Sequence, residues 1–290
     1  MQTYVIMTDS TTDITKDMVD ELELVIMPLQ VTIDGESYYN YLDERGLDIK
    51  KFYSLIRAGK IATTNQVNVG AFSESFEEIL KSGKDILYIA FSSGLSGTYN
   101  SAKIAADELS GKYPERKIII IDSLSASMGE GLLVYYAAMK KRDGMSIDEV
   151  ADWIEKNKLH LCHWFTVDDL FHLKNGGRVS ATAAVFGTML NIKPVLHVDD
   201  EGHLIPVKKV RGRKQSLEAL VEKMQETCID PENNVVFISH GDCQEDAELV
   251  ASLIKSKMNV KDIKINTIGP VIGSHAGPGT IALFFMGDKR

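Results

Sequence analysis

The chain has 290 residues, 44% of them hydrophobic, and a formal net charge of −9 at pH 7. That length suits two domains or one large one, and the apolar fraction is ordinary for a globular protein. An acidic balance argues against general nucleic-acid binding, which wants a basic surface, and the longest apolar runs, such as Ile118–Ile121, are strand-sized rather than membrane-spanning.

The start, Met1 to Met7, carries neither a basic n-region nor a cleavage site, so no signal peptide is expected. Tyr4–Met7 reads as a strand that runs into the polar stretch Thr8-Asp9-Ser10-Thr11-Thr12-Asp13. A short helix is predicted over Thr15–Leu22, with extended segments at Leu24–Met27 and Leu29–Ile33 and a helix at Ile49–Arg57. Thr63-Thr64-Asn65-Gln66 follows as a loop of hydroxyls and amides, readable also as a turn with an N-cap. Ala71–Leu80 is an amphipathic helix with Phe72, Phe76, Ile79 and Leu80 on one stripe.

Ile86–Phe91 is a continuous apolar strand, and Ser101–Leu109 reads as a helix. Between them lies Ser92-Ser93-Gly94-Leu95-Ser96-Gly97-Thr98, the most informative stretch of the chain. Gly94 and Gly97 let backbone approach a ligand closely. The hydroxyls of Ser93, Ser96 and Thr98 supply hydrogen bonds, and the helix start adds partial positive charge. Such a loop suits a carboxylate or a phosphate; capping of the helix is the plainer reading of the same residues.

Lys117–Ile121 is another apolar strand, ending in Asp122-Ser123, and a long helix follows Ser127. Continuous apolar strands separated by helices imply a parallel sheet covered on both faces. Such sheets bind ligands at the carboxyl ends of their strands. The polar residues at the ends of three strands therefore predict a crevice at that edge.

After about Asn157 the pattern changes. His160–Thr166 reads as a strand, and the His160-Leu161-Cys162-His163 run resembles a metal cluster. Strand alternation puts His163 on the face opposite His160 and Cys162, which favours a structural reading. Val179–Leu190 reads as a small-residue helix, either a ligand wall or a close-packing face. Further strands are predicted at Lys193–Val198, Leu204–Val210, Val235–Ser239, Ile263–Thr267 and Ile281–Met286. The turn at Asp199–Gly202 suggests a hairpin, and Gln215–Thr227 and Glu245–Met258 read as helices.

The fold expected is thus α/β, with a parallel α/β domain over residues 1–157 and a mixed α+β domain over 158–290. Cys162, Cys228 and Cys243 are odd in number and far apart, as free thiols of a reducing cytosol would be. The basic stretch Lys208–Lys214 is either a solvated face or a docking patch for an acidic partner.

Near the end, Gly273-Ser274-His275-Ala276-Gly277-Pro278-Gly279-Thr280 surrounds one histidine with small residues, which are expected to expose its ring. A serine hydrolase is one reading: Gly94-Leu95-Ser96-Gly97-Thr98 nearly fits a nucleophile elbow, with Thr98 where the motif wants glycine. Ser96 would be its nucleophile. No Walker A or complete dinucleotide fingerprint occurs, and Asp9 and Asp13 are spaced too widely for a haloacid-dehalogenase phosphatase.

Taken together, the motifs resemble the DegV family of fatty-acid-binding proteins. The matching pieces are Thr8–Asp13, Thr63–Gln66, Phe91–Ala102, Ile121–Ser123, Gly176-Gly177-Arg178-Val179-Ser180, Lys209–Gly212 and His275–Gly279, in the family's order across nearly the whole chain. One departure is Val67, where many relatives have a proline after the glutamine. The resemblance implies a two-domain DegV-like fold with a long-chain fatty acid between the domains, and no other cofactor. It implies a carboxylate held by Thr64 and Ser96, with Ser93 and His275 in support. It also implies a cytoplasmic, non-catalytic carrier, the partner of an acyl (fatty acid) kinase in phospholipid synthesis. Arg178 would face that kinase, with the Lys208–Lys214 segment adding charge. No stable membrane insertion is expected.

Overall fold

The computed structural model describes residues 3–168, 170–179 and 191–290. In chain order it forms β1 (Tyr4–Asp9), α1 (Lys16–Glu21), β2 (Val25–Met27), β3 (Gln30–Ile33), β4 (Glu36–Tyr39), α2 (Ile49–Arg57), β5 (Ala62–Asn65), α3 (Val69–Lys81), β6 (Asp85–Ala90), α4 (Thr98–Lys112), β7 (Ile118–Asp122), α5 (Met128–Arg142) and α6 (Ile147–Asn157). There follow β8 (Leu161–Thr166), α7 (Phe171–Asn175), β9 (Ile192–Val198), β10 (Leu204–Arg211), α8 (Arg213–Thr227), β11 (Val235–His240), α9 (Gln244–Lys257), β12 (Asp262–Thr267), α10 (Pro270–Ala276) and β13 (Ile281–Met286).

The first sheet has the order β2-β1-β6-β7 and is parallel throughout. Its strand β6 is buried at every position, as a sheet covered on both faces requires. One face packs Met7, Ile86, Tyr88 and Ala90 against Phe72 and Phe76 of α3 and Ala102 and Ala105 of α4. The other face packs Ile6, Leu87 and Ile89 against Leu132 and Leu133 of α5 and Val150 and Ile154 of α6.

The second large sheet has the order β10-β9-β8-β13-β11-β12, antiparallel except for the β11–β12 pair. Alternation along β8 sorts its side chains: Leu161 and Phe165 join the core on the α5 side, whereas Cys162 and Trp164 join α8 and α9 on the other. Helix α5 is therefore a shared layer between the two sheets. The strands of the parallel sheet precede residue 157 and those of the six-stranded sheet follow it, while one apolar cluster joins them through α5. Division into two folding units at 157/158 is our proposal on that arrangement.

Several elements differ from the sequence reading. Thr63–Asn65 of the Thr63–Gln66 stretch, read as a loop, belong to β5, an edge strand paired antiparallel with β3 in a small sheet of order β4-β3-β5. Its polar composition suits an edge with one solvated face. Helix α4 starts at Thr98 rather than Ser101, because the Ser96 hydroxyl accepts from Thr98 N and serves the first turn. Helix α6, not singled out from sequence, opens on a Ser146–Glu149 capping box. Most of the small-residue segment Val179–Leu190 lies outside the described residues.

Candidate functional site

The carboxyl ends of β1, β6 and β7 lie side by side, and three polar turns leave from them. A network of buried acids fixes these turns. Asp9 Oδ1 accepts from Thr11 N (3.0 Å), and its Oδ2 accepts from Tyr88 OH (2.9 Å) and Phe91 N (3.1 Å). Glu130, from the first turn of α5, accepts from Thr8 Oγ1 (2.9 Å) and Thr11 Oγ1 (2.7 Å). Asp13 accepts from Ser127 Oγ (2.6 Å) and Gly269 N (2.9 Å), which ties the start of α10 to the parallel sheet. Burial pushes all three carboxyls up, Asp13 to about 7, and the charge of Asp9 raises Glu130 and Asp13 further.

Asp9 thereby anchors Phe91, the first residue of the hydroxyl-rich loop. Ser92 is buried and donates to the carbonyl of Gly202 (2.9 Å). Gly202 sits at φ +79°, and a Cβ there would lie 2.1 Å from Ser92 Oγ, so the β9–β10 turn reaches this loop only with glycine. Ser96 Oγ accepts from Thr98 N (3.2 Å) and pairs with Thr98 Oγ1 (3.0 Å).

Strand β5 is pinned to the same loop. Gln66 Nε2 donates to Ser101 Oγ (3.1 Å), and the Gln66 amide lies where a Cβ on residue 97 would be. One step back, Thr64 Oγ1 is 2.8 Å from Nε2 of His275, carried by α10. Burial, aided by the charge of Arg178, pushes the His275 imidazole down to about 4, so it is neutral at pH 7. Its Nδ1 is buried without a hydrogen-bond partner.

The glycines around His275 do not expose its ring, as the sequence suggested. They let neighbours close on it and on its turn. A Cβ on Gly176 would sit 2.0 Å from His275 Nδ1, and one on Gly277 2.3 Å from the ring of His172.

These groups surround one cavity of about 960 Å³, open solvent at its mouth included. Thr64, Gln66, Ser96, Arg178 and His275 supply polar lining. The six-stranded sheet contributes Phe165, Val198, Ala282 and Phe284, and Leu29, Leu95, Ile268 and Val271 close the apolar remainder. Thr64, Arg178 and His275 also border an outer groove with Lys60, Ile61, Phe171 and His172, so the polar end of the cavity is the end nearer the surface.

Four residues singled out from sequence are thus brought together: Thr64, Ser96, Arg178 and His275. Ser93 is not. It is exposed, lies outside the lining, and its N–H donates to Asp122 Oδ1 (3.1 Å). The turn sends the Ser92 hydroxyl inward and the Ser93 side chain out. Arg178 is half-buried, its Nε donating to Leu95 O (3.1 Å) and its Nη1 to Gly176 O.

In the Lys208–Lys214 stretch, Arg213 is bound to Asp246 of α9 at 2.7 Å. Lys208 and Lys209 are exposed on β10, an edge strand, where lysines also discourage edge-to-edge pairing. Glu130 and His163 escaped the sequence reading as site residues, although Glu130 was signalled as the one charge in an otherwise apolar or small run from Met128 to Ala138.

The elbow reading of Ser96 lacks its partner. Ser96 Oγ bonds within its own loop and His275 Nε2 bonds Thr64, so the nucleophile–base hydrogen bond of a triad is not formed. Among the described residues no group of three His, Cys, Asp or Glu side chains is placed to hold a metal ion, and no helix is long and apolar enough to cross a membrane.

A family model described as DegV matches residues 3–288. A DegV domain-containing protein of Clostridium perfringens is 50% identical over 290 residues, covering 100% of this chain and 99% of its own. Among solved structures, a DegV family protein from Thermus thermophilus described for its fatty acid binding matches with a TM-score of 0.89 at 27% identity, over 99% of this chain and 100% of that one. DegV of Bacillus subtilis, described as a fatty acid binding protein, matches at 0.84 with 29% identity, over 99% and 100%.

Proposed function

Since the chain belongs to the DegV family, we infer that it carries a long-chain fatty acid and presents the carboxylate to an acyl kinase. The observation that carries this reading is a single cavity with hydroxyls, an imidazole and a guanidinium at its surface end and apolar walls beyond. Fatty acid binding by the structural relatives supports it.

The chemistry is consistent with a carboxylate head. With its proton on Nε2, neutral His275 donates to Thr64 Oγ1 and leaves the Thr64 hydroxyl free to donate outward. Ser96 supplies a second hydroxyl at the start of α4, where the helix dipole favours negative charge. Arg178 adds a cation whose field already acts on His275. Hydrogen bonds to a charged group contribute about 1.5–3 kcal/mol each, which offsets the several kcal/mol lost on desolvating the carboxylate.

The acyl chain supplies most of the affinity. At about 0.8 kcal/mol per buried CH₂, roughly 15 such groups gain on the order of 12 kcal/mol before binding entropy. The polar end then sets orientation: carboxylate toward the surface groove, chain toward the sheet. That orientation suits phosphorylation by a separate enzyme, with Arg178 spanning cavity and groove.

The test is phosphorylation of the carried lipid by an acyl kinase with ATP, wild type against Arg178→Ala. The expected result is retained lipid with at least a tenfold loss of acyl phosphate formation. Equal phosphorylation of both proteins would remove Arg178 from the partner face.

A further inference from the structure

The side chain of Arg290, beyond β13, turns its guanidinium inward against the ends of both large sheets. Its Nε donates to Leu161 O (3.2 Å) at the start of β8. Its Nη1 donates to Leu124 O (2.7 Å), just after β7, and to Asp199 O (3.1 Å), just after β9. Its Nη2 donates to Lys158 O (2.7 Å) and Ser125 Oγ (3.3 Å). All five acceptors are neutral, four carbonyls and a hydroxyl. Burial pulls the guanidinium down to about 10, so it keeps its charge at pH 7. The charge strengthens each of these bonds. A lysine, a point charge with three donors, does not span acceptors from five residues.

Two of the clamped segments converge on one residue of the hydroxyl-rich loop. Ser92 N donates to Ser125 O (3.0 Å), and Ser92 Oγ donates to Gly202 O (2.9 Å). Gly202 in turn donates its N–H to Asp199 O (2.9 Å), the carbonyl that Arg290 also holds. The two turns touch: a Cβ on Gly202 would lie 3.2 Å from Leu124 Cα. Leu124 has φ +51°, an uncommon conformation for a residue other than glycine. Such a conformation persists where the surroundings over-determine it, and the Arg290 bond to the Leu124 carbonyl is one such constraint.

Ser92 passes its position on. Its carbonyl accepts from Leu95 N and Ser96 N, each at 3.1 Å, and Leu95 O accepts from Arg178 Nε. The loop is thus held from two sides, by Asp9 at Phe91 and by the two turns at Ser92. The same hairpin end carries Val198 and Leu204, paired across β9 and β10, into the apolar wall of the cavity.

We propose that Arg290 is a positioning residue of the fatty-acid site: by clamping the Leu124–Ser125 turn to the β9–β10 turn it fixes Ser92, and through Ser92 the Ser96 hydroxyl that receives the carboxylate. It touches no ligand itself. A tie between the sheets that served stability alone would leave the Ser92–Ser96 loop no looser than the rest of the fold when removed.

This inference rests on the fatty-acid reading above, and two measurements keep the two apart. Octadecanoic acid is titrated against wild type, Arg290→Ala and Arg290→Lys, with and without a sub-denaturing concentration of guanidinium. Affinity is expected to fall about tenfold in both variants. Guanidinium restores it in Arg290→Ala, because the ion carries the same fork of donors, and leaves wild type and Arg290→Lys unchanged. Amide hydrogen exchange at Ser92 and Ser96, read without ligand, is expected to quicken about tenfold in the variants while exchange in β6 stays as in wild type. Arg290→Lys keeps the stem and the charge, so the test stands even if Arg290→Ala does not fold. Wild-type affinity in Arg290→Lys, no recovery with guanidinium, or unchanged exchange at Ser96 overturns the positioning role. Exchange raised evenly through β6 and the loop also overturns it. A wild type that binds no octadecanoic acid overturns the carrier reading, while the exchange result still decides the clamp.

Discussion

Thr64 Oγ1 and His275 Nε2 lie 2.8 Å apart although 211 residues separate them. The pair joins an edge strand of the small sheet to a short helix held by Asp13, and so closes the polar end of the cavity from two sides. Thr64, with Ser96 across the cavity, carries the first expectation. Thr64→Ala with Ser96→Ala removes two hydroxyl donors, each contributing about 1.5–3 kcal/mol to an ionised partner. Fatty acid affinity, followed by displacement of a fluorescent acid, should fall at least a hundredfold, with the fold intact by circular dichroism. Unchanged affinity would show that the carboxylate sits elsewhere.

Gly176→Ala tests the placement of His275 without touching a polar group. Residue 176 has φ −76°, so alanine brings no backbone strain. Its Cβ would fall 2.0 Å from His275 Nδ1 and displace the ring from Thr64. We expect about a tenfold loss of fatty acid affinity and a melting temperature close to wild type. An affinity equal to wild type would mean that the imidazole does not need its observed position.

Asp13 gives a stability signature. Desolvation raises it from 3.8 to about 7. Between those values the folded chain holds a proton that the unfolded chain has released, so stability contributed by the protonated carboxyl is lost as pH rises from about 4 through about 7. Asp13→Asn does not titrate, and its amide oxygen still accepts from Gly269 N. Urea unfolding over that range should show wild type losing stability relative to the variant, by as much as about 4 kcal/mol. A difference that stays flat with pH would contradict a protonated Asp13.

Ser96 should be inert as a nucleophile. Its hydroxyl bonds Thr98 rather than a histidine, so no base raises its reactivity. A fluorophosphonate probe is expected to leave the protein unlabelled. Stoichiometric labelling at Ser96 would favour the acyl-hydrolase reading.

Sequence patterning located most of the framework because the signals were local. The apolar runs at Ile86 and Ile118 gave parallel strands, and the Asp199–Gly202 turn gave a hairpin. It missed β5 because Thr63, Thr64 and Asn65 carry no apolar alternation; only pairing with β3 makes them a strand. It missed α10 because Pro270, Gly273 and Ser274 interrupt so short a segment, and burial rather than propensity holds that helix. Within the site, the glycine- and hydroxyl-rich loops marked Thr64, Ser96 and His275 as candidates. They could not tell Ser92, which turns inward, from Ser93, which does not. Glu130 is bonded by Thr8 and Thr11, and His163 packs against Phe284 and Gly129, and no spacing in the chain reveals such neighbours.

The most direct test of the carrier account is native mass spectrometry of the freshly purified protein, with the released lipid identified after denaturation. The account predicts one long-chain fatty acid per chain, lost in the Thr64→Ala, Ser96→Ala double variant. A protein that emerges empty and also refuses added fatty acids would contradict it.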